Sequence, residues 1–166
     1  LDEIVELMID AWRQGLRVVR LHTGDPSIYG AIREQMVRLE AESIPCEVIP
    51  GVSSAFAAAA SLKAELTLPE VAQTVIITRQ EGRTPVPARE KLSLLASHQT
   101  AMLIFLSASL LATVVDELQA GGYPADTPVV IVERASWDNE KVVRGTLATI
   151  CTVAAAREIK KTAMIC

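Results

Sequence analysis

Helical and strand patterns alternate along this chain, and that alternation limits the possible folds more than any other feature. Apolar residues recur at helical spacing over residues 1–14, a β-rich run occupies 16–22, and a second helical pattern begins at Ile28. A short apolar run at 45–50 then leads into an alanine-rich helical segment. Alternation of this kind predicts an α/β fold in which helices cover a parallel sheet.

The second half of the chain predicts a sheet of a different kind. Two strand patterns, 127–136 and 140–146, follow each other closely, which indicates a hairpin and therefore a mixed sheet. A proline interrupts the periodicity within 67–73, so we place a domain boundary there, giving domains 1–68 and 69–166. The remaining predicted strands are 74–78, 100–107 and 161–166, and the predicted helices are 90–98, 109–122 and 147–159.

Composition excludes several classes of protein. Half of the residues are apolar, which is enough for a substantial core. The net charge is −4 and the basic residues form no stripe, so we expect no nucleic-acid partner. No apolar run reaches the length of a membrane span, so we expect no membrane partner. The three cysteines lack metal-ligand spacing, which predicts no metal site. Cys46 and Cys151 lie in apolar patterns, which predicts buried free thiols and a cytoplasmic protein.

Small, turn-forming residues follow both of the first two predicted strands, as "TGDPS" at 23–27 and "IPGVSS" at 49–54. Asp25 can cap a helix and Pro26 suits the first helical position, so an ordinary helix start explains the first stretch. Ligands of α/β proteins bind beyond the carboxyl ends of strands, so a ligand cleft explains it as well. The residue types alone leave both interpretations open.

A long polar loop at 78–91 contains three arginines and two prolines. Loops of this length inside compact domains are uncommon unless they bind something. Guanidinium groups fork onto carboxylates, so the loop suits a polycarboxylate ligand. A solvated surface loop is the alternative.

Three stretches together resemble one family: "HTGDPSIYG", "VIPGVSSAFAAAA" and "TRQEGRTPVP". The chain resembles the tetrapyrrole (corrin/porphyrin) methylases. The resemblance implies two α/β domains, a parallel-sheet amino-terminal one and a mixed-sheet carboxy-terminal one, with the cofactor cleft between them. Members of the family begin with a strand and a "GxGPGD" loop that this sequence does not show, so we expect the amino-terminal part to be missing.

The resemblance also implies a function. The "TRQEGRTPVP" loop is similar to the branch of the family that transfers a methyl group from S-adenosylmethionine to C-11 of precorrin-4 or cobalt-precorrin-4 in cobalamin biosynthesis. Such an enzyme releases S-adenosylhomocysteine and acts as a homodimer on a small tetrapyrrole. The alternatives are another tetrapyrrole methylase (acting on uroporphyrinogen-III or another precorrin), a sibling that modifies a macromolecule, and a non-catalytic S-adenosylmethionine-binding fragment.

Site residues follow from the same resemblance, position by position. The substrate's acetate and propionate groups are expected to meet Arg79, Arg83 and Arg33. No general base is expected, because the sulfonium methyl is already activated and the enzyme has mainly to align the reactants. Many of the cofactor contacts are through the main chain and require small side chains; the positions are Thr23, Gly24, Asp25, Ile28, Ser53, Ser54, Ser107, Ala135, Thr162 and Ala163.

Overall fold

The chain forms two compact units. The computed structural model describes residues 1–166 and divides them into Leu1–Ser54 and Ala55–Cys166. This division lies at the start of the alanine-rich helix. The domain boundary between residues 68 and 69 that the sequence indicates stays a prediction.

The first unit is built on two helices that pack against each other. Val5 is fully buried and Ile9 nearly so, which gives the first helix its apolar face. The guanidinium of Arg38 bonds the Asp2 carboxylate at 2.9 Å. Because that pair is exposed, it contributes at most about 1 kcal/mol, and apolar burial contributes more. The helices are α1 (Asp2–Arg13) and α2 (Ile32–Ala41).

The two strands predicted in this unit are not formed, and that prediction is wrong. Residues 16–22 and 45–50 make no β-ladder with each other or with any other segment. A strand needs a hydrogen-bonded neighbour, and an apolar sequence pattern does not supply one. Val19 and Ile49 are consequently exposed. Cys46 is also exposed, which corrects the expectation of a buried thiol, whereas Cys151 is half-buried.

The second predicted helix also begins later than expected. It starts at Ile32 instead of Ile28, and no side chain caps it. Tyr29 and Ala31 have φ values of 54° and 50°. This left-handed conformation interrupts a right-handed helix, so the residues after Asp25 form a separate turn.

The second unit is a five-stranded sheet with the strand order β1-β2-β5-β3-β4. Strands β1 and β2 are parallel, β5 is antiparallel to both of its neighbours, and β3 and β4 form a hairpin. The predicted hairpin and mixed sheet are confirmed. The elements are α3 (Ser54–Leu62), β1 (Val75–Arg79), α4 (Leu92–Ala96), β2 (Ala101–Phe105), α5 (Leu111–Ala120), β3 (Pro128–Glu133), β4 (Lys141–Thr146), α6 (Ile150–Ala156) and β5 (Ala163–Ile165).

Helices cover both faces of this sheet. Ile104 and Ile131 point into a core shared with α4, α5 and α6. Their neighbours Leu103 and Val132 point into a second core, shared with Ala58 of α3. Successive residues of a strand face opposite sides, so continuous apolar strands are what a sheet buried on both faces requires. None of the helices combines the length and the apolar character that crossing a membrane needs.

Candidate functional site

The two turn-forming loops of the first unit are brought together by one carboxylate. Asp25 Oδ1 accepts a hydrogen bond from the Ser27 N–H at 2.8 Å, and Oδ2 accepts one from the Gly51 N–H at 2.9 Å. These main-chain donors favour the ionised form, so they hold the pKa of Asp25 below its usual value. Asp25 therefore joins "TGDPS" to "PGVSS" as a charged acceptor.

The joined loops require glycine at Gly51 for close backbone approach and at Gly24 for backbone conformation. A Cβ on Gly51 would lie 2.2 Å from the Gly24 carbonyl oxygen, where no atom fits. Gly24 has a φ of +71°, a conformation that L side chains rarely adopt. The same glycine faces the main chain of Ser53 and Ser54 across an ordinary van der Waals gap. The loops thus leave a surface of small groups and main-chain atoms.

Five of the cofactor positions expected from the sequence lie in these two joined loops. Ile28 lies in the turn that follows Asp25, and its N–H donates to the Asp25 carbonyl at 3.4 Å. Arg33 is exposed in the first turn of α2, in the same unit but outside the loops. The five loop positions are Thr23, Gly24, Asp25, Ser53 and Ser54.

The remaining predicted positions, apart from Arg83, share one edge of the sheet in the second unit. Arg79 ends β1 opposite Phe105, the last residue of β2. Glu133 ends β3 opposite Ala163, the first residue of β5. Because β5 runs antiparallel to β2 and β3, its start lies at their carboxyl ends. The register therefore brings to one edge Arg79, Ser107, Ala135, Thr162 and Ala163.

The backbone at this edge is strained. Leu106, Arg134, Ser136 and Thr162 have φ values of 54°, 54°, 68° and 55°. Left-handed conformations cost a non-glycine residue roughly 1–3 kcal/mol and collect at functional sites; they are rarest for β-branched residues such as Thr162. The Arg134 N–H donates to the Thr162 carbonyl at 2.8 Å, so the turns after β3 and before β5 hold each other.

Ser107 uses its hydroxyl within the protein. It is fully buried, and its Oγ accepts from the Gln80 N–H at 2.9 Å and donates to the Phe105 carbonyl at 2.5 Å. The side chain therefore joins the ends of β1 and β2. Ser107 can therefore bind a ligand only through its main-chain groups.

The arginine loop is shaped by Arg79. Its guanidinium donates to the Thr84 carbonyl at 2.9 Å and to the Pro85 carbonyl at 3.0 Å. Those two bonds fold the segment 80–87 back onto the end of β1. Arg83 lies exposed within that segment, and Arg89 is exposed beyond it. The structure thus gives the three arginines different surroundings.

Glu140 is a residue of this edge that sequence reasoning misses. Its Oε2 accepts from the Ser61 hydroxyl and from the Ser136 N–H, both at 2.7 Å. These bonds lower the pKa of Glu140 below its usual value. Glu140 ties the turn after β3 to α3, and nothing in the turn-like sequence "SWDNE" at 136–140 signals that partner.

A cavity of about 350 Å³ lies at the opposite edge of the sheet, at the starts of β2 and β3. Its wall is mainly apolar, with Met102, Leu118 and Val129 among the lining residues. Burial raises the pKa of the Cys166 thiol there to about 11, so that sulfur is a neutral thiol and a poor nucleophile at neutral pH. No three His, Cys, Asp or Glu side chains cluster to hold a metal ion. We favour as the candidate site the other edge of the sheet, where β1, β2 and β3 end, and we call it the carboxyl edge. It combines polar groups, strained residues and turns joined by hydrogen bonds.

Comparison with known proteins identifies the relatives of this chain. Residues 1–151 match the family model described as Tetrapyrrole (Corrin/Porphyrin) Methylases. Cobalt-precorrin-4 C(11)-methyltransferase of Methanocaldococcus jannaschii is 61% identical over 165 residues, and that of Priestia megaterium is 52% identical over 165 residues. Each alignment covers 99% of this chain and 64% of the relative.

Two solved structures extend the comparison. The X-ray structure of a cobalt precorrin-4 methyltransferase matches with a TM-score of 0.96 at 51% identity, covering 99% of this chain and 69% of that one. Uroporphyrin-III C-methyl transferase from Thermus thermophilus, complexed with S-adenyl homocysteine, matches with a TM-score of 0.79 at 25% identity, covering 99% and 71%. The chain spans about 64% of the length of the curated relatives it matches. By sequence and by fold, the chain belongs to the tetrapyrrole (corrin/porphyrin) methylase family.

Proposed function

We propose that the protein transfers a methyl group from S-adenosylmethionine to C-11 of cobalt-precorrin-4 or precorrin-4. The observation that carries the proposal is the level of identity. Relatives bearing the C(11)-methyltransferase name are 61% and 52% identical, whereas the uroporphyrin-III enzyme is 25% identical. The "TRQEGRTPVP" loop, which resembles the C-11 branch, supports the same assignment.

The cofactor positions suit a ligand held mainly by main-chain groups. In the first unit, Gly24 and Gly51 keep the joined loops free of side-chain bulk. In the second unit, the strained turns at Ala135 and Thr162 are joined by the Arg134–Thr162 main-chain hydrogen bond. S-adenosylmethionine supplies a methyl group already activated on a sulfonium. The residues of the chain then have to bind and align, which is catalysis by positioning.

Acid–base chemistry has no part in this proposal. Asp25 has a lowered pKa and both of its carboxylate oxygens are engaged, which suits a structural anion more than a proton carrier. Cys151 and Cys166 have raised pKa values, chiefly because of burial, which disfavours a thiolate nucleophile.

Substrate carboxylates are proposed to meet the arginines. Arg83 and Arg33 are exposed, and Arg79 keeps further N–H donors after bonding Thr84 and Pro85. We expect Arg83→Ala to raise the KM for the tetrapyrrole about tenfold with little change in the KM for S-adenosylmethionine. Steady-state kinetics against an Arg89→Ala control measure this, and an unchanged tetrapyrrole KM contradicts the role of Arg83.

The proposed activity is tested by incubating the protein with isotopically methyl-labelled S-adenosylmethionine and cobalt-precorrin-4, precorrin-4 or uroporphyrinogen-III in parallel. We expect label at C-11 of one of the first two compounds, located by NMR. Label on uroporphyrinogen-III would support a sibling methylase instead. Binding of S-adenosylhomocysteine and substrate without transfer would support a non-catalytic fragment.

We further propose that the protein acts in the cytoplasm as a homodimer. The apolar residues Leu7 and Trp12 of α1 are 70% and 43% exposed, which gives a second copy an apolar surface to cover. Light scattering during size-exclusion chromatography is expected to give twice the 17.9 kDa mass of one chain. A mass of one chain across the working concentration range would contradict the dimer.

A further inference from the structure

Gln80, the first residue after β1, has a buried side-chain oxygen without a hydrogen-bond partner. Its Oε1 is shut off from solvent and accepts no hydrogen bond. A buried acceptor without a donor destabilises the folded state, because the hydrogen bonds it made to water are not replaced. Native proteins contain few such groups, and each calls for a reason such as a ligand that completes it.

The main chain of Gln80 is held from both sides. Its N–H donates to Ser107 Oγ at 2.9 Å, and its carbonyl accepts from the Arg79 guanidinium at 3.5 Å. Ser107 is itself fully buried and bonded to the Phe105 carbonyl. The main chain that carries the Gln80 side chain is therefore fixed by hydrogen bonds where two strands end. This favours a defined position for the side-chain oxygen.

Gln80 also lies at the carboxyl edge of the sheet. Strand β1, which ends at Arg79, pairs in parallel with β2, and the neighbour of β2 on its other side is β5. Ser107 and Thr162, two of the proposed cofactor positions, belong to this same edge. Gln80 thus belongs to the same sheet edge as residues that the proposed function already uses.

The chemistry of the oxygen limits which ligand groups can bond to it. A carboxamide oxygen only accepts, so the ligand has to present an N–H or O–H group. The ionised acetate and propionate arms of the substrate offer acceptors alone. S-adenosylmethionine carries an ammonium, ribose hydroxyls and an exocyclic amino group, all of which donate. We infer that Gln80 is a cofactor-binding residue whose Oε1 accepts a hydrogen bond from S-adenosylmethionine, an inference that rests on the proposed function.

Isothermal titration with S-adenosylhomocysteine tests the inference. Gln80→Met removes the acceptor at nearly constant shape, and we expect it to weaken binding about tenfold, the effect of one lost hydrogen bond. Gln80→Glu retains an acceptor oxygen and is expected to stay within about threefold of the unsubstituted protein. Gln119→Met, at an exposed glutamine of α5, is the matched control and is expected to leave affinity unchanged.

Thermal unfolding of the ligand-free protein separates binding from a structural role. Because the acceptor lacks a partner, Gln80→Met is expected to leave the Tm equal or raise it, whereas loss of a structural contact would lower it. Unchanged affinity in Gln80→Met, equal loss in Gln80→Met and Gln80→Glu, or a raised KM for the tetrapyrrole alone would overturn the inference. No binding by the unsubstituted protein would overturn the proposed function and the inference together.

Discussion

At the scale of single residues, Asp25 gives the clearest link between sequence and site. The sequence leaves its side chain open to two interpretations, a helix cap or part of a ligand cleft, and the structure gives it a third task. One carboxylate oxygen holds the turn that follows Asp25, and the other holds the loop at Gly51. One carboxylate therefore stabilises the local turn and also joins the two loops.

This arrangement predicts a pH dependence. The folded-state pKa of Asp25 lies below its unfolded value, so the stabilisation is full above the unfolded pKa, about 4, and is lost as the pH falls through the folded pKa. In Asp25→Asn, an NH₂ group faces one of the two N–H donors. We expect the unsubstituted protein to be more stable than Asp25→Asn near neutral pH, with the difference shrinking below about pH 4. Urea unfolding of both proteins across this range measures it, and a difference that does not vary with pH would contradict the assignment.

Gly51 allows a steric prediction. Gly51→Ala places a Cβ 2.2 Å from the Gly24 carbonyl oxygen, so the two loops have to separate. Overpacking of this kind destabilises by about 1–3 kcal/mol. Gly82→Ala is the control, because its Cβ would meet only a Leu110 methyl carbon at 3.7 Å. Equal unfolding free energies for the two variants would show that the loops do not depend on this contact.

At the scale of elements, the sheet edge is built by pairing strand ends, and Ser107 shows how. Ser107→Ala removes the acceptor of the Gln80 N–H and the donor to the Phe105 carbonyl. Leaving a buried N–H without a partner costs about 1–3 kcal/mol, so we expect a loss of that size in urea unfolding. Ser109→Ala, at an exposed serine nearby, is expected to be neutral. A neutral Ser107→Ala would mean that the hydroxyl does not join the strands.

The elements also show what the sequence could predict. Runs such as "MLIF" at 102–105 are buried on both faces, and such apolar patterns predict the strands of the second unit apart from β4, whose polar sequence "KVVRGT" is predicted as the partner of β3 in a hairpin. The same kind of pattern at 16–22 and 45–50 failed, because pairing depends on a neighbour that a local pattern does not contain. The sequence does not predict the late start of α2 either, since the left-handed residues Tyr29 and Ala31 are not glycines.

Part of the candidate site could likewise be predicted from the sequence, and part could not. The family resemblance predicts positions such as Gly24 and Ser107, and the structure puts Gly24 in the joined loops and Ser107 on the sheet edge. The contacts that these and neighbouring residues make are visible only in the structure. Ser107 uses a buried hydroxyl to join strand ends, Arg79 bonds its own loop, and Gln80 has a buried oxygen without a partner. Long-range partners of this kind leave no local signature, which is why Glu140 and Gln80 were not predicted.

At the scale of the whole molecule, two regions compete as the cofactor site. One is the strained carboxyl edge of the second unit, while the joined loops of the first unit hold further proposed cofactor positions. The other is the cavity of about 350 Å³ at the opposite sheet edge. None of the cofactor positions expected from the resemblance lines the cavity, whose wall is mainly apolar. The proposed function therefore requires S-adenosylmethionine to contact the proposed positions in each unit, and not the cavity.

Amide chemical shifts recorded during titration with S-adenosylhomocysteine test that requirement most directly. We expect saturable shifts at residues 23–28, 53–54, 106–108, 134–136 and 162–163, with the opposite edge unaffected. Shifts confined to the cavity lining, at residues 65–72, 99–102 and 127–129, would contradict the account.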